Sequence, residues 1–323
     1  ISGDNALTVS KIAEKAGIDD FDKYISLENI SDGGIYEIAD KYTVFGRVSP
    51  DQKAILVKAL KGKKRTVAMT GDGVNDILAL RESDTSIAMA SGSDAARNVS
   101  HLVLMDDNFA NLPKVVGEGR RVVNNIQNAS SMFFMKTAYT IALMLFIIVM
   151  DIGFGKSYYY PYKMTNIILL ETVVVGMSTV LLALQPNTNI IKGHFLANVF
   201  RRSMPASLTF FASTMFLYFF QAKTQLPQTQ ESLVTLAAIT YTFAGYYALY
   251  MACKPLRPWK IALLVSILAM LIGGTLFFGG FLDYEPLARE EILLLLTTVF
   301  GAAPLYLLLY KIFNGFGPLG KTG

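Results

Sequence analysis

The sequence holds one cysteine, Cys253, so neither a disulfide framework nor a cysteine-rich metal cluster is open to it. Charge is also scarce. Asp, Glu, Lys and Arg make up 17% of the 323 residues, below the density of an ordinary soluble domain. Low hydrophobicity, the mark of a disordered chain, is absent too: 52% of residues are hydrophobic and mean hydropathy is +0.40. No apolar run with a cleavage site stands at the start of this sequence, so none of its apolar runs is expected to be a signal peptide.

What is present is unevenly spread. Residues 1–121 hold 16 Lys/Arg and 18 Asp/Glu, the density of a soluble domain. Residues 122–323 hold only 13 and 7. Six apolar runs fill that second part, at about 124–150, 164–184, 204–222, 233–253, 260–282 and 291–313, each near the length a helix needs to cross a bilayer. Lys192, Arg201 and Arg202, then Lys254, Arg257 and Lys260, gather in the loops after the second and fourth runs. By the positive-inside rule, the soluble half and both termini are expected in the cytoplasm of a multi-pass cell-membrane protein. Tyr158, Tyr159, Tyr160 and Tyr162 then read as an interfacial aromatic belt at the outer side.

The first part alternates strand and helix patterns, with strands expected at 67–69, 85–89 and 102–105 and helices at 6–16, 49–60 and 76–82. That order implies a parallel α/β sheet. Ser49-Pro50 supplies a cap and a first-turn proline. Thr70-Gly71-Asp72-Gly73-Val74-Asn75-Asp76 follows an apolar strand and opens a helix, the place where α/β sheets bind ligands. Gly71 and Gly73 let the backbone approach a ligand, and the helix start offers free N–H groups to a phosphate. Asp72, a hard oxygen donor on a tight turn, suits Mg²⁺. Lys53, one turn into the helix begun by Ser49-Pro50, is a point positive charge suited to a phosphoryl group.

Those seven residues resemble the hinge motif of the P-type ATPases. "SGDN" (Ser2 to Asn5) is similar to that family's TGD segment, with Ser where Thr is usual. "FGRVSPDQK" (Phe45 to Lys53) and "DDNFANLPKVVGEGRRVVNNI" (Asp106 to Ile126) are similar to two further family segments. The resemblance implies an α/β HAD-like (Rossmann-type) partial phosphorylation domain over 1–111 and a stalk helix over 112–135. An all-α six-helix transmembrane bundle over 124–323 completes it. It implies that Asp72 holds Mg²⁺ and Lys53 contacts the phosphoryl group. Asn75 and Asp76 then orient the site, while Ser2, Gly3 and Asp4 line it beside Thr70, Gly71 and Gly73. ATP and Mg²⁺ are the implied cofactors.

The family's phosphorylated aspartate lies in a DKTGT sequence, and no DKTGT occurs here. The chain is therefore expected to be the C-terminal portion of a pump. Its partners would be the remaining N-terminal portion (actuator domain, nucleotide domain, four further spans), the bilayer and a cation, with no nucleic acid. Alone, these 323 residues are expected to form no phosphoenzyme from ATP.

Two charges sit well inside apolar runs, Lys136 and Glu171, and intramembrane charges are functional suspects. Oxygen donors around them are Thr137, Tyr139, Thr140, Asn166 and Thr172. Either the two charges form a transport site with a built-in counter-ion, or they pair to lock two helices. Alignment of Gln185-Pro186 with the family's Asn-Pro puts Glu171 at a site position and Val174-Val175 where calcium and sodium pumps carry Thr-Asp. That departure argues against a two-calcium site and for one divalent cation or a monovalent one. No Cys-Pro-Cys, His or Met cluster points to a soft metal. A polyamine, lipid or monovalent-ion pump, and a membrane-anchored HAD-type phosphatase or pseudo-pump, stay open as alternatives.

Overall fold

The computed structural model describes residues 1–315, which divide into two compact units, Ile1–Pro113 and the chain from Lys114 onward. The first unit runs α1 (Ala6–Lys15), β1 (Tyr24–Ser26), α2 (Asp32–Ile38), β2 (Val44–Gly46), α3 (Pro50–Gly62), β3 (Ala68–Gly71), α4 (Ile77–Glu82), β4 (Thr85–Met89), α5 (Asp94–Val99) and β5 (Leu102–Leu104). All strand pairs are parallel. β1 pairs with β2, Ile25 opposite Phe45, and a second sheet has the order β3-β4-β5.

Local chemistry explains these elements. Asn5 caps α1 by accepting the Leu7 N–H at 2.9 Å. α3 opens with a capping box: Ser49 Oγ accepts the Gln52 N–H, and the Gln52 side chain accepts the Ser49 N–H. The Gln52 amide also donates to the Leu27 carbonyl at 3.0 Å, which ties α3 to the end of β1. Neighbouring residues of α3 enter two cores. Leu56 joins Leu27, Ile35, Phe45 and Val48; Val57 joins Met69, Ala79, Leu80 and Ala96. One helix thereby serves both sheets. The 85–89 strand stands at its expected bounds, and the strand expected at 67–69 starts one residue later and ends two residues later.

The second unit is helical: α6 (Leu112–Phe154), a π-helical stretch (Leu169–Met177) continuing into α7 (Ser178–Ala183), α8 (Phe195–Thr224), α9 (Gln230–Ala252), α10 (Pro258–Phe277) and α11 (Arg289–Asn314). The expected stalk and first span are one continuous helix of 43 residues. Five helices are long and apolar enough to cross a membrane: those ending at Phe154, Thr224, Ala252, Phe277 and Asn314. The second expected run, 164–184, forms a shorter helix than expected. Its apolar helix covers only Leu169–Ala183. Even at the α-helical 1.5 Å per residue that is at most roughly 22 Å, short of the roughly 30 Å hydrocarbon layer. Backbone around Asn166 is tied into a turn instead, with Asn166 Oδ1 accepting the Lys163 N–H at 3.1 Å.

α9 is the most enclosed helix, with Leu233, Leu236, Tyr241, Ala244 and Leu249 all in the core. The π-helical stretch lies close against it and α10. A Cβ on Gly245 would fall 2.4 Å from Leu170 Cδ1, and one on Gly274 would fall 2.7 Å from Leu169 Cδ2. Small residues at these crossings let backbones approach closely.

Candidate functional site

In the first unit the loop at the carboxyl end of β3 is folded around Asp76. The chain enters a 3-10 turn at Val74–Asp76, and the Asp76 N–H donates to the Gly73 carbonyl at 3.1 Å. Asp76 Oδ1 accepts from the Lys53 ammonium at 2.7 Å, and its Oδ2 takes the Gly73 N–H at 3.5 Å. Both side chains of the ion pair are mostly buried, 14% exposed for Lys53 and 11% for Asp76. Gly71 is required for this. A Cβ there would lie 2.5 Å from Asp76 Cβ and 2.8 Å from Oδ2. Any side chain at position 71 displaces the carboxylate that holds Lys53.

Asp72 is left free by this arrangement. Its carbonyl accepts the Ser93 N–H at 2.8 Å, which anchors the backbone to the cap of α5. Its carboxylate is exposed and has no hydrogen bond or ion pair among the described residues. Asn75 is exposed beside it. No group of three or more His, Cys, Asp or Glu that would cage a metal occurs among the described residues. A single free carboxylate on an anchored turn fits Mg²⁺, which keeps several waters and completes its shell with phosphate oxygens.

The Ser2–Asp4 segment runs alongside β2. The Ser2 N–H donates to the Phe45 carbonyl at 3.0 Å, the Val48 N–H to Ser2 at 3.1 Å and the Arg47 N–H to Asp4 at 2.8 Å. Ser2 Oγ donates to Asp4 Oδ2 at 3.1 Å. The Ile1 nitrogen lies within electrostatic reach of Lys53 and Asp76. The fold thus brings Ser2, Lys53 and the Thr70–Asp76 loop to one end of the sheets. Sequence reasoning did not find the Lys53–Asp76 bond, because 23 positions separate the partners and neither carries a local sign of the other.

In the second unit Lys136 of α6 donates to Glu171 Oε2 of the π-helical stretch. The Lys136 ammonium also lies 5.2 Å from the centre of the Phe133 ring. The other donors expected around the pair turn elsewhere. Thr172 donates to its own helix at Ile168, and Thr137 to Phe133. Asn166 holds the turn before the helix. Tyr139 bonds Tyr162 and Thr214, each at 2.7 Å, in a buried hydroxyl cluster. Thr140 is half-buried with no side-chain hydrogen bond among the described residues. The π-helix around Glu171 is the feature the sequence reading missed. Such stretches are rare and frequently mark functional positions.

Geometry of this kind, a loop with a free aspartate at the carboxyl end of a parallel strand, is that of a HAD-like fold. Residues 1–84 match the family model of haloacid dehalogenase-like hydrolases. Over 93% of its length the chain is 35% identical to the "Probable cation-transporting ATPase exp7" of Streptococcus pneumoniae, of which it covers 37%. It is 36% identical over 84% of its length to the "Calcium-transporting ATPase CtpE" of Mycolicibacterium smegmatis, covering 35% of it. The CtpE of Mycobacterium tuberculosis is 35% identical over 91% of the chain, with 37% of that protein covered. The chain spans little more than a third of the length of these curated relatives. Its similarity to cation-transporting P-type ATPases, read first from the Thr70–Asp76 motif, extends over nearly all of its residues.

Proposed function

We propose that this chain forms the C-terminal portion of an ATP-driven pump that cycles through an aspartyl phosphate and moves one inorganic divalent cation, Ca²⁺ as first candidate, across the cell membrane. Residues 1–111 act as part of the phosphorylation domain, 112–135 as the stalk and 124–323 as the membrane part. Both termini lie in the cytoplasm. The partners are the N-terminal portion of the same pump and the lipid bilayer.

Asp72 would hold Mg²⁺, and the ion, when bound, neutralises charge on the transferring phosphoryl group. Lys53 spends one of its three N–H donors on Asp76 and keeps two for phosphoryl oxygens. Asp76 therefore fixes where that positive charge stands. Asn75, Thr70, Gly71, Gly73 and the Ser2–Asp4 segment line the same end of the sheets. Electrostatic positioning of this kind is the main source of catalysis in phosphoryl transfer.

The single observation behind the transport reading is the Lys136–Glu171 ion pair inside an apolar bundle. With no cargo the carboxylate is neutralised by Lys136; an arriving cation replaces that partner. One carboxylate with a resident counter-charge suits one cation better than two.

The test is ATPase activity of the intact pump in proteoliposomes against Ca²⁺, Mn²⁺, Na⁺, K⁺ and a polyamine. Activation by a divalent cation, abolished in Glu171→Gln, is expected. Activation by the polyamine or a monovalent ion alone replaces the cargo assignment. If Glu171→Gln leaves activation by every cation unchanged, the site assignment is wrong.

A further inference from the structure

The two ends of the helical unit carry different charge. Beyond Arg121 the acidic residues are Asp151, Glu171, Glu231, Asp283, Glu285, Glu290 and Glu291. All but Glu171 lie where α6, α8 and α10 finish and α9 and α11 begin. Hydrogen bonds tie that end together: Thr165 to Asp283, the Glu285 N–H to Thr235, and the Gln228 N–H to Glu291.

The opposite end holds Lys192, Arg201, Arg202, Lys254, Arg257, Lys260 and Lys311 with no Asp or Glu among the described residues of its helix ends and loops from Asn124 onward. Its own bonds define it. Asn124 of α6 donates to the Asn187 and Asn189 carbonyls, and Asn314 of α11 donates to the Arg201 carbonyl at 3.4 Å. Every cation there is without a carboxylate partner among the described residues. Arg202 reaches only the neutral Asn128 side chain. Lys254 lies over the Tyr250 ring at 4.9 Å. Lys260, fully buried, donates to the Pro255 carbonyl at 3.3 Å. Lys192, Arg201, Arg257 and Lys311 are exposed. Phe195, Phe200 and Trp259 are exposed beside them, amphipathic or apolar rings at the level expected of a membrane interface.

A one-signed ring repels itself, and no carboxylate among the described residues from Asn124 onward pairs with it. We propose that this end of the bundle binds the headgroups of anionic phospholipids, with Arg201, Lys254, Arg257 and Lys311 as the contacts. Charge-driven membrane orientation alone requires only an excess of Lys and Arg during insertion. It does not require lasting lipid contacts, so the two explanations separate experimentally. The proposal rests on the membrane reading of the second unit and is independent of the transported ion.

The test is retention of phosphatidylglycerol over phosphatidylcholine by the intact protein, taken from nanodiscs containing both and measured by native mass spectrometry. Anionic lipid is expected to remain bound, and apparent affinity should fall about fivefold for each cation removed in Arg201→Gln, Lys254→Gln, Arg257→Gln and Lys311→Gln. Lys156→Gln, Lys163→Gln and Lys223→Gln at the other end should change nothing and show that charge loss as such is tolerated. Millimolar inorganic phosphate should not displace the lipid, which separates a headgroup site from a plain anion site. Equal retention of both lipids, equal loss in both variant sets, or displacement by phosphate overturns the proposal. A protein that does not enter nanodiscs overturns the membrane reading as well.

Discussion

Two lysine–carboxylate pairs with little-exposed lysines stand in two different solvents. Lys53–Asp76 stands in a unit of ordinary charge density, and Lys136–Glu171 stands among apolar helices. In the first, Asp76 has a second donor in the Gly73 N–H, and the pair braces a loop whose neighbour, Asp72, stays free. In the second, Lys136 is the only side-chain donor to Glu171 among the described residues, and its other neighbour is the Phe133 ring. The first pair therefore fixes a position. The second cancels a charge that its surroundings cannot solvate. Lys136 is 16% exposed and Glu171 40%, so the carboxylate is the less enclosed member of the pair.

The contrast gives its largest effect in the bundle. Lys136→Met or Glu171→Leu alone leaves one charge without its partner and should cost about 3–5 kcal/mol. The double variant Lys136→Met/Glu171→Leu should recover most of that loss. Thermal unfolding in detergent reads both. A double variant no more stable than either single one would mean that the pair does not serve charge cancellation.

A smaller effect is expected in the first unit. Gly71→Ala pushes Asp76 off Lys53 and should destabilise by about 1–3 kcal/mol, the usual cost of overpacking. In a Lys53→Met background the same substitution should cost less, because the bond it breaks is already gone; such coupling is what a double-mutant cycle measures. Strict additivity in denaturant titrations would show that Gly71 serves the turn and not the ion pair.

Much of the fold was readable from charge and hydropathy. The change in charge density after Arg121 separates a part rich in strands from one made of helices. Thr85–Met89 was legible because a buried strand is a plain apolar run between turn signals. β1 was not, since Tyr24 and Ser26 are exposed and only Ile25 is half-buried, and β2 is cut short after two apolar residues by Gly46. The pair at Lys136 and Glu171 was legible as two charges where none belong. Its surroundings were not. Hydropathy counts apolar residues but carries no record of backbone hydrogen bonding, so neither the π-helix at Leu169–Met177 nor the shortness of the second span left a sign in it. Thr137 and Thr172 looked like ligands for the same reason: their bonds to their own helix carbonyls are invisible in sequence.

The smallest expected effect tests whether the first unit, unlike the bundle, is tuned by solvent protons. Asp84 Oδ2 accepts the Val67 N–H at 2.8 Å just ahead of β3, and Lys61 lies 3.5 Å from its other oxygen. The Val67 N–H chiefly, and Lys61 after it, hold this carboxyl below the usual carboxylate range. A carboxyl with a lowered folded pKa stabilises the fold fully above its unfolded value of about 3.9, and that contribution fades as pH falls through the folded value. Asp84→Asn keeps the shape and removes the charge. Above about pH 5 the wild-type first unit should therefore unfold at a slightly higher temperature than the variant, and the gap should close on acidification toward the lowered pKa. A gap that persists unchanged to the lowest pH would assign the stabilisation to the hydrogen bond's shape and not to its charge. A gap that widens in acid would contradict the lowered pKa itself, since only a carboxyl favoured in its protonated form gains stability there.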